Sequence, residues 1–233
     1  MNDFELEYIG VDESGVGDYF SPVVSVACFI PKENIKKLKE LGIKDSKKLS
    51  DKKIIELIEI IKQNNLAIFK DTTLSQKGYN DLTKLKINNN ALKTLIHFNS
   101  ILRLQKSLKK NLIVVIDQYA SKPNLEKHLV TLKEKNLINS SLKLDNFSLV
   151  LETKAEEKYL NVACASMMAR YILLQKMQQQ TKEYNGFPFI LGASNATIDL
   201  GAKFIKDFGE QKLYNVAKIS FKTTKKILEK LKE

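Results

Sequence analysis

The run L-I-V-V-I between Asn111 and Asp117 constrains this chain more than any other segment. Its residues do not alternate with polar ones, and four of the five are β-branched. Such a strand is buried on both faces, so it belongs inside a sheet covered by helices on either side. Helical patterns flank it in the sequence. Before it, Ala91, Leu92, Leu95, Ile96, Phe98, Ile101, Leu102 and Leu104 trace one apolar helix face, and residues 124–135 are expected to be helical after it. The fold class is therefore α/β.

The remaining elements follow from the same periodicities. Glu7 to Asp12 and Val23 to Ile30 read as a hairpin-like pair of strands around a Gly-rich turn. Lys32 to Leu41 reads as a short helix closed by Gly42. Ser50 is placed to cap a helix carrying Ile54, Ile55, Leu57, Ile58 and Ile61. Further strands are expected at Leu66 to Thr72 and Phe147 to Leu151. A long helix is expected from Glu156 to Lys182, its apolar face running from Tyr159 through Leu160, Ala163, Met167, Tyr171 and Leu174 to Met177. Its small residues Ala163 to Ser166 allow close packing on a sheet. Two more helices are expected, at Asp199 to Phe208 and Thr223 to Leu231. No repeat or low-complexity linker interrupts the chain. Residues 1–233 are read as one domain, an α/β core to about residue 182 followed by a mostly helical part.

Composition narrows the partners. There are 38 Lys and Arg against 27 Asp and Glu, a net charge of +11, which favours a polyanion such as nucleic acid. Solubility alone is the competing explanation of that surplus. The absence of an 18-residue apolar run argues against a membrane span. The N-terminus is acidic and unlike a signal peptide. Cys28 and Cys164 form no zinc or disulfide pattern, so a reduced, cytoplasmic setting is expected. His97 and His128 lack ligand-spaced partners and are read as ordinary surface or core-edge residues.

Chemistry concentrates at strand ends. Asp12 and Glu13 close the first strand, Asp117 closes L-I-V-V-I, and Glu156 follows F-S-L-V-L. Sites in α/β sheets form outside strand ends, and carboxylates gathered there repel one another unless cations lie between them. Successive strand residues point oppositely, so Asp12 and Glu13 share a site only if the strand breaks near Glu13. Other readings stand beside these. Asp117 also suits a strand-to-turn transition, and Thr153 to Glu156 has the spacing of a capping box. Asp18, Asp45, Asp145 and Asp199 lie in more polar settings. Gly15-Val16-Gly17 lacks a glycine at position 20, which excludes the dinucleotide fingerprint, and no P-loop is present. The turn can offer backbone N–H groups to a phosphate or sugar hydroxyl. The loop K-D-S-K, with Lys44, Ser46 and Lys47, suits phosphate contacts or simple solvation equally.

Taken in order, G-V-D-E-S-G-V-G-D-Y-F-S-P, K-D-S-K-K-L, V-I-D-Q-Y, T-K-A-E-E-K-Y-L-N-V-A-C-A-S-M-M-A-R-Y, L-G-A-S-N-A-T-I-D and A-K-I-S-F-K-T-T resemble the type 2 ribonucleases H, and within them ribonuclease HIII. The resemblance runs from about residue 8 to residue 224. It implies a ribonuclease H-like mixed β-sheet flanked by helices, with a helical C-terminal region. It implies cleavage of the RNA strand of RNA/DNA hybrids to 3′-hydroxyl and 5′-phosphate ends, with Asp12, Glu13, Asp117 and Glu156 holding two Mg²⁺ or Mn²⁺ ions. Gly15, Val16 and Gly17 match the turn that reads the ribose 2′-hydroxyl, and Lys44, Ser46, Lys47 and Lys154 fall in motifs near the substrate backbone. Basic residues including the C-terminal K-T-T-K-K are expected to grip phosphates. No small-molecule cofactor is implied, and a monomer is expected. The N-terminal substrate-binding domain usual in ribonuclease HIII is expected to be absent. Ser21 stands where the pattern has Gly, Val16 where Thr is common, and Cys164 and Met167-Met168 replace Ala and an Ile pair. Val16 also occupies the Arg position of the HII-type G-R-G motif. Cleavage at single ribonucleotides embedded in DNA is the first alternative. A nucleic-acid-binding protein of the same fold with weak catalysis is the second.

Overall fold

The computed structural model describes residues 7–43 and 49–232. Five strands form one mixed sheet: β1 (Tyr8–Ser14), β2 (Val23–Phe29), β3 (Ile68–Leu74), β4 (Ile113–Asp117) and β5 (Leu149–Glu152), in the order β3-β2-β1-β4-β5. β1 pairs antiparallel with β2 and parallel with β4, and β4 pairs parallel with β5. The helices are α1 (Ile35–Glu40), α2 (Asp51–Gln63), α3 (Gln76–Lys84), α4 (Asn89–Leu108), α5 (Lys122–Glu134), α6 (Ala155–Lys158), α7 (Leu160–Glu183), α8 (Asn195–Phe208), α9 (Glu210–Val216) and α10 (Lys222–Lys230). The chain groups into two compact units. One holds residues 7–14, 24–72 and 88–171 and contains nearly all of the sheet. The other holds residues 15–23, 73–87 and 172–233.

In the first unit the continuous apolar run behaves as its composition dictates: Val114, Val115 and Ile116 are all fully buried in a strand paired on both sides, by β1 and β5. On one face, Ile9 and Val11 of β1 and Val114 and Ile116 of β4 pack with Ile101 and Leu104 of α4. On the other, Tyr8 and Val115 pack with Ala155, Tyr159 and Val162. Gly10 permits that second layer. A Cβ there would lie 2.3 Å from the backbone of Asn161 and Val162, so the start of α7 approaches β1 more closely than any side chain allows. Asn161 Nδ2 fixes the approach by donating to Tyr8 O at 2.6 Å. Ser50 caps α2 as expected, accepting from Lys53 N at 3.3 Å.

Several expectations need correction. The helix expected over residues 156–182 is interrupted: α6 ends at Lys158, Tyr159 is extended, and α7 begins at Leu160. The interruption lets the Tyr159 ring turn into the core, edge-on to Tyr8 at 6.0 Å between centroids. The Thr153 capping box does not form; α6 starts from Lys154, held in a left-handed conformation at φ 54° with no side-chain cap. Leu102, assigned to the buried face of α4, is 40% exposed. α3 and α9 were not anticipated, because each is short and mostly polar.

The second unit has its own core. Phe20, Phe187 and Phe204 are buried with Met177, Leu213, Val216 and Ile227, and the Phe187 and Phe204 rings meet edge-on at 5.3 Å. α8 and α10 come so close that a Cβ on Gly201 would meet Ile227 Cδ1 at 2.2 Å.

Candidate active site

β1 continues without a break through Glu13 to Ser14, with Glu13 opposite Ser25 and Ser14 opposite Val24 on β2. The pleat therefore sends the two adjacent carboxylates to opposite faces of the sheet. The condition for them to share one face, a break near Glu13, is not met.

Asp12 lies on the face of α6 and α7. The Ser166 hydroxyl on α7 bonds to its carboxylate, and Asp12 Oδ1 accepts from Glu13 N at 2.8 Å. Although part of its surface stays accessible, burial does most to raise its pKa, helped by the negative charges of Glu13 and Asp117 and opposed by those two hydrogen bonds. The result is a carboxyl raised to about 8. Val11 stands opposite Ile116 in the parallel ladder, so Asp12 and Asp117 follow at the same level. Asp117 Oδ1 accepts from Ala155 N at 3.0 Å. This bond ties the first turn of α6 to the end of β4 and carries Glu156, 3% exposed, to the same strand end.

Glu13 lies on the α4 face. His97 Nε2 is 2.8 Å from one of its oxygens and Lys93 Nζ 2.7 Å from the other. Burial works to raise Glu13, but the His97 bond and charge, together with Lys93, outweigh it and hold the carboxyl down to about 2. Lys93 also lies over the Tyr119 ring at 4.3 Å, and His97 meets that ring edge-on at 5.2 Å. His97 is thus wholly buried on Glu13, which corrects its reading as a surface or core-edge residue. One signal was available in the sequence: Lys93 and His97 stand four apart, and so on the same side of one helix.

A cavity of about 270 Å³ lies beside Ser166, lined by Ser14, Leu49, Asp51, Ile54, Ser166, Met167 and Arg170. Arg170 is engaged there, its Nε and one terminal nitrogen donating to the two oxygens of Asp51 at 2.9 and 3.0 Å. Lys154, one residue before α6, is exposed. Lys44, Ser46 and Lys47 lie outside the described residues.

The Gly-rich turn belongs to the second unit. Gly15 has φ 95°, and a Cβ on it would sit 2.2 Å from Pro22 O, so only glycine fits. Asp18 N closes the turn on Gly15 O at 3.3 Å. Gly17 is exposed, with open space where a Cβ would be. Ser21, the departure from glycine, is fully buried and donates to Pro22 O at 2.9 Å and Gly15 O at 3.2 Å.

Among the described residues, no three His, Cys, Asp or Glu side chains are gathered closely enough to enclose a metal ion. The donor chemistry suits one nonetheless. Asp12 and Asp117 are hard oxygen donors, and the repulsion between them is what a divalent cation relieves. No helix among the described residues is long and apolar enough to cross a membrane.

The family model described as ribonuclease HII matches residues 9–224. Ribonuclease HIII of Lactococcus lactis subsp. lactis (strain IL1403) is 32% identical over 229 residues, covering 96% of this chain and 73% of that protein. Ribonuclease HIII of Phytoplasma mali (strain AT) is 35% identical over 219 residues, covering 94% and 71%. Among solved structures, Bst-RNase HIII in complex with Mn²⁺ superimposes with a TM-score of 0.86 at 28% identity, over 97% of this chain and 70% of that one. Aquifex aeolicus RNase H3 does so at 0.68 and 28%, over 91% and 71%. The mixed five-stranded sheet with its helical C-terminal part is therefore the ribonuclease H-like fold that the motifs implied. By sequence and by fold, the chain belongs to the type 2 ribonuclease H family and, within it, to ribonuclease HIII.

Proposed function

We propose that this protein hydrolyses the RNA strand of RNA/DNA hybrids to 3′-hydroxyl and 5′-phosphate ends, with Asp12, Asp117 and Glu156 the carboxylates placed to hold Mg²⁺ or Mn²⁺, while Glu13, expected in that set, is engaged on the opposite face by Lys93 and His97. One observation carries the reading. Asp12 on β1 and Asp117 at the end of the neighbouring parallel β4 stand half-buried at one level, and the Ala155–Asp117 bond tethers Glu156 beside them. Clustered like charge beside a nucleic-acid path serves a binder poorly and a metal-dependent nuclease well. The Mn²⁺ complex of Bst-RNase HIII supports the choice of ion.

A bound divalent ion supplies Lewis acidity, lowering the pKa of the attacking water and stabilising charge on the leaving 3′-oxygen. The protein's own groups prepare that chemistry. Ser166 orients Asp12, whose accessible edge is left for a ligand. Asp117 spends one oxygen on Ala155 and keeps the other. On the opposite face, Lys93 and His97 engage both oxygens of Glu13 and hold its carboxyl down. Lys154 lies next to the acidic cluster with its side chain exposed, suited to a substrate phosphate. Lys44, Ser46 and Lys47 serve the same backbone in this reading. Gly15, Val16 and Gly17 contact the ribose 2′-hydroxyl, the group that distinguishes RNA from DNA.

The test is to offer end-labelled RNA/DNA hybrid, duplex RNA, duplex DNA and DNA with a single ribonucleotide, each with Mg²⁺ or Mn²⁺. Cleavage confined to the hybrid and abolished in Asp12→Asn is expected. Undiminished cleavage by Asp12→Asn overturns the assignment, and preferential cutting at the single ribonucleotide favours the HII-like alternative.

A further inference from the structure

Lys218 is the one lysine among the described residues with no exposed surface, and it belongs to no site described above. Its Nζ donates to Gly15 O, to Asp18 O at 2.5 Å and to Ser21 Oγ at 3.5 Å. An ammonium has three N–H bonds, and all three acceptors lie in the seven residues of the Gly-rich turn. The aromatic rings of Phe221 and Tyr79 wall the ammonium at 5.6 and 5.7 Å. The backbone of Lys218 joins in, its N–H donating to Tyr19 O at 2.9 Å. A second clasp holds the same turn from another loop: Gly192 N donates to Asp18 Oδ1 at 2.7 Å, and Tyr19 N donates to Gly192 O at 3.0 Å.

A buried ammonium is a costly way to stabilise a core, since an apolar side chain of like volume avoids its desolvation. Burial lowers Lys218, and even with the Asp18 carboxylate opposing, its ammonium is held down to about 7. What the ammonium does that an apolar group cannot is bind two carbonyls and a hydroxyl at fixed directions. With Gly15 O and Asp18 O both turned toward Nζ, the peptide units bracketing Val16 and Gly17 are held at each end. Gly17, which has no side chain and open space around it, then presents backbone of defined shape.

We propose that Lys218 is a positioning residue for ribose recognition: its buried ammonium holds the Gly15–Asp18 turn in the shape that reads the 2′-hydroxyl, with Ser21 as its auxiliary. This rests on the hybrid-cleaving reading above. The role is distinct from that of the basic residues expected to grip phosphates, because Lys218 has no surface with which to touch substrate.

The experiment compares wild type, Lys218→Met and Ser21→Ala on two hybrids. In the first the RNA strand is unmodified, and in the second one nucleotide at the preferred cleavage site is 2′-deoxy. Folding is checked by circular dichroism and thermal melting. Wild type is expected to cut the all-ribose site much faster. In Lys218→Met the preference falls about tenfold, through loss on the all-ribose site alone. Ser21→Ala moves it in the same direction by about threefold. Equal losses on both hybrids, or none, overturn the proposal, since a purely structural lysine lowers both rates together. If Lys218→Met does not fold, Ser21→Ala decides: a lowered preference supports the proposal and an unchanged one overturns it. Wild type that cuts neither hybrid overturns the underlying reading instead, and the inference with it.

Discussion

Asp12 and Glu13 are neighbours in the chain and opposites in environment. On the α7 face, burial and then the negative charges of Glu13 and Asp117 raise the Asp12 carboxyl to about 8 against the Ser166 hydroxyl bond. On the α4 face, Glu13 meets an ammonium and an imidazole, and its carboxyl is held at about 2. Residue type explains none of this difference, because both are carboxylates of similar intrinsic acidity. The pleat separates them, and each face then supplies its own charges. One face leaves negative charge uncompensated and so invites a cation; the other has compensated it with the protein's own groups. The comparison separates a group kept in tension for function from one settled for stability.

The largest expected effect tests the first half of that comparison. Asp12→Asn should lower hybrid cleavage in Mg²⁺ by about 10³-fold, read by single-turnover kinetics, with the fold unchanged by circular dichroism. A fall of less than tenfold would mean that Asp12 is not under the tension described. Next comes Gly10→Ala, which perturbs the Asp12 face and spares the Glu13 face. Its Cβ would sit 2.3 Å from the backbone of α7, and a loss of about 3 kcal/mol is expected in urea titrations. An unchanged midpoint would show that α7 can retreat from β1 at no cost.

Lys93→Met addresses the other face. It removes the ammonium on Glu13, whose side chain is 13% exposed, and should cost about 1–2 kcal/mol at pH 7. Glu13 is depressed below its unfolded value of 4.5, so its contribution is present above that pH and fades as pH falls toward about 2. The Lys93→Met deficit should therefore shrink over the same window; a deficit independent of pH would remove Glu13 from the account. Asp12 has the opposite sign. Its folded value exceeds the unfolded 3.8, so the folded state binds the extra proton, and stability is lost as pH rises from about 4 to about 8. In metal-free buffer at pH 8, Asp12→Asn should consequently melt a few degrees above wild type, about 2–4 °C for each kcal/mol. Adding Mn²⁺ should raise the melting temperature of wild type and leave the variant behind. Melting curves that coincide with and without Mn²⁺ would detach the acidic cluster from metal.

Much of this architecture was legible in residue patterns. The L-I-V-V-I run demanded an interior strand covered on both faces, and Val114, Val115 and Ile116 are buried in one. The apolar faces of α2 and α4 and the Ser50 cap were readable because helical spacing is a local property. The break at Tyr159 was not, because α6 is fixed by a bond from Ala155 to Asp117, thirty-eight residues earlier in the chain. α3 and α9 were invisible for a related reason. Gln76 and Asn80 are buried polar residues, satisfied by the Phe20 carbonyl and the Gln180 side chain and by the carbonyls of Tyr214 and Ala217. A pattern of apolar spacing does not register them.

By itself the sequence determined that Asp117 closes a strand, because the apolar run that ends there is a local pattern, whereas β1 runs on past Asp12 to Ser14. That glycine must occupy positions 10 and 15 emerged only with the neighbours in place. Tertiary structure alone decided which carboxylate is tense and which is settled, and that His97 and Lys218 are buried partners rather than surface residues. The physical reason is common to all of these. Charge and desolvation act through space, and the groups that engage Glu13 and Gly15, Lys93 and His97 on the one and Lys218 on the other, lie eighty to two hundred residues away along the chain.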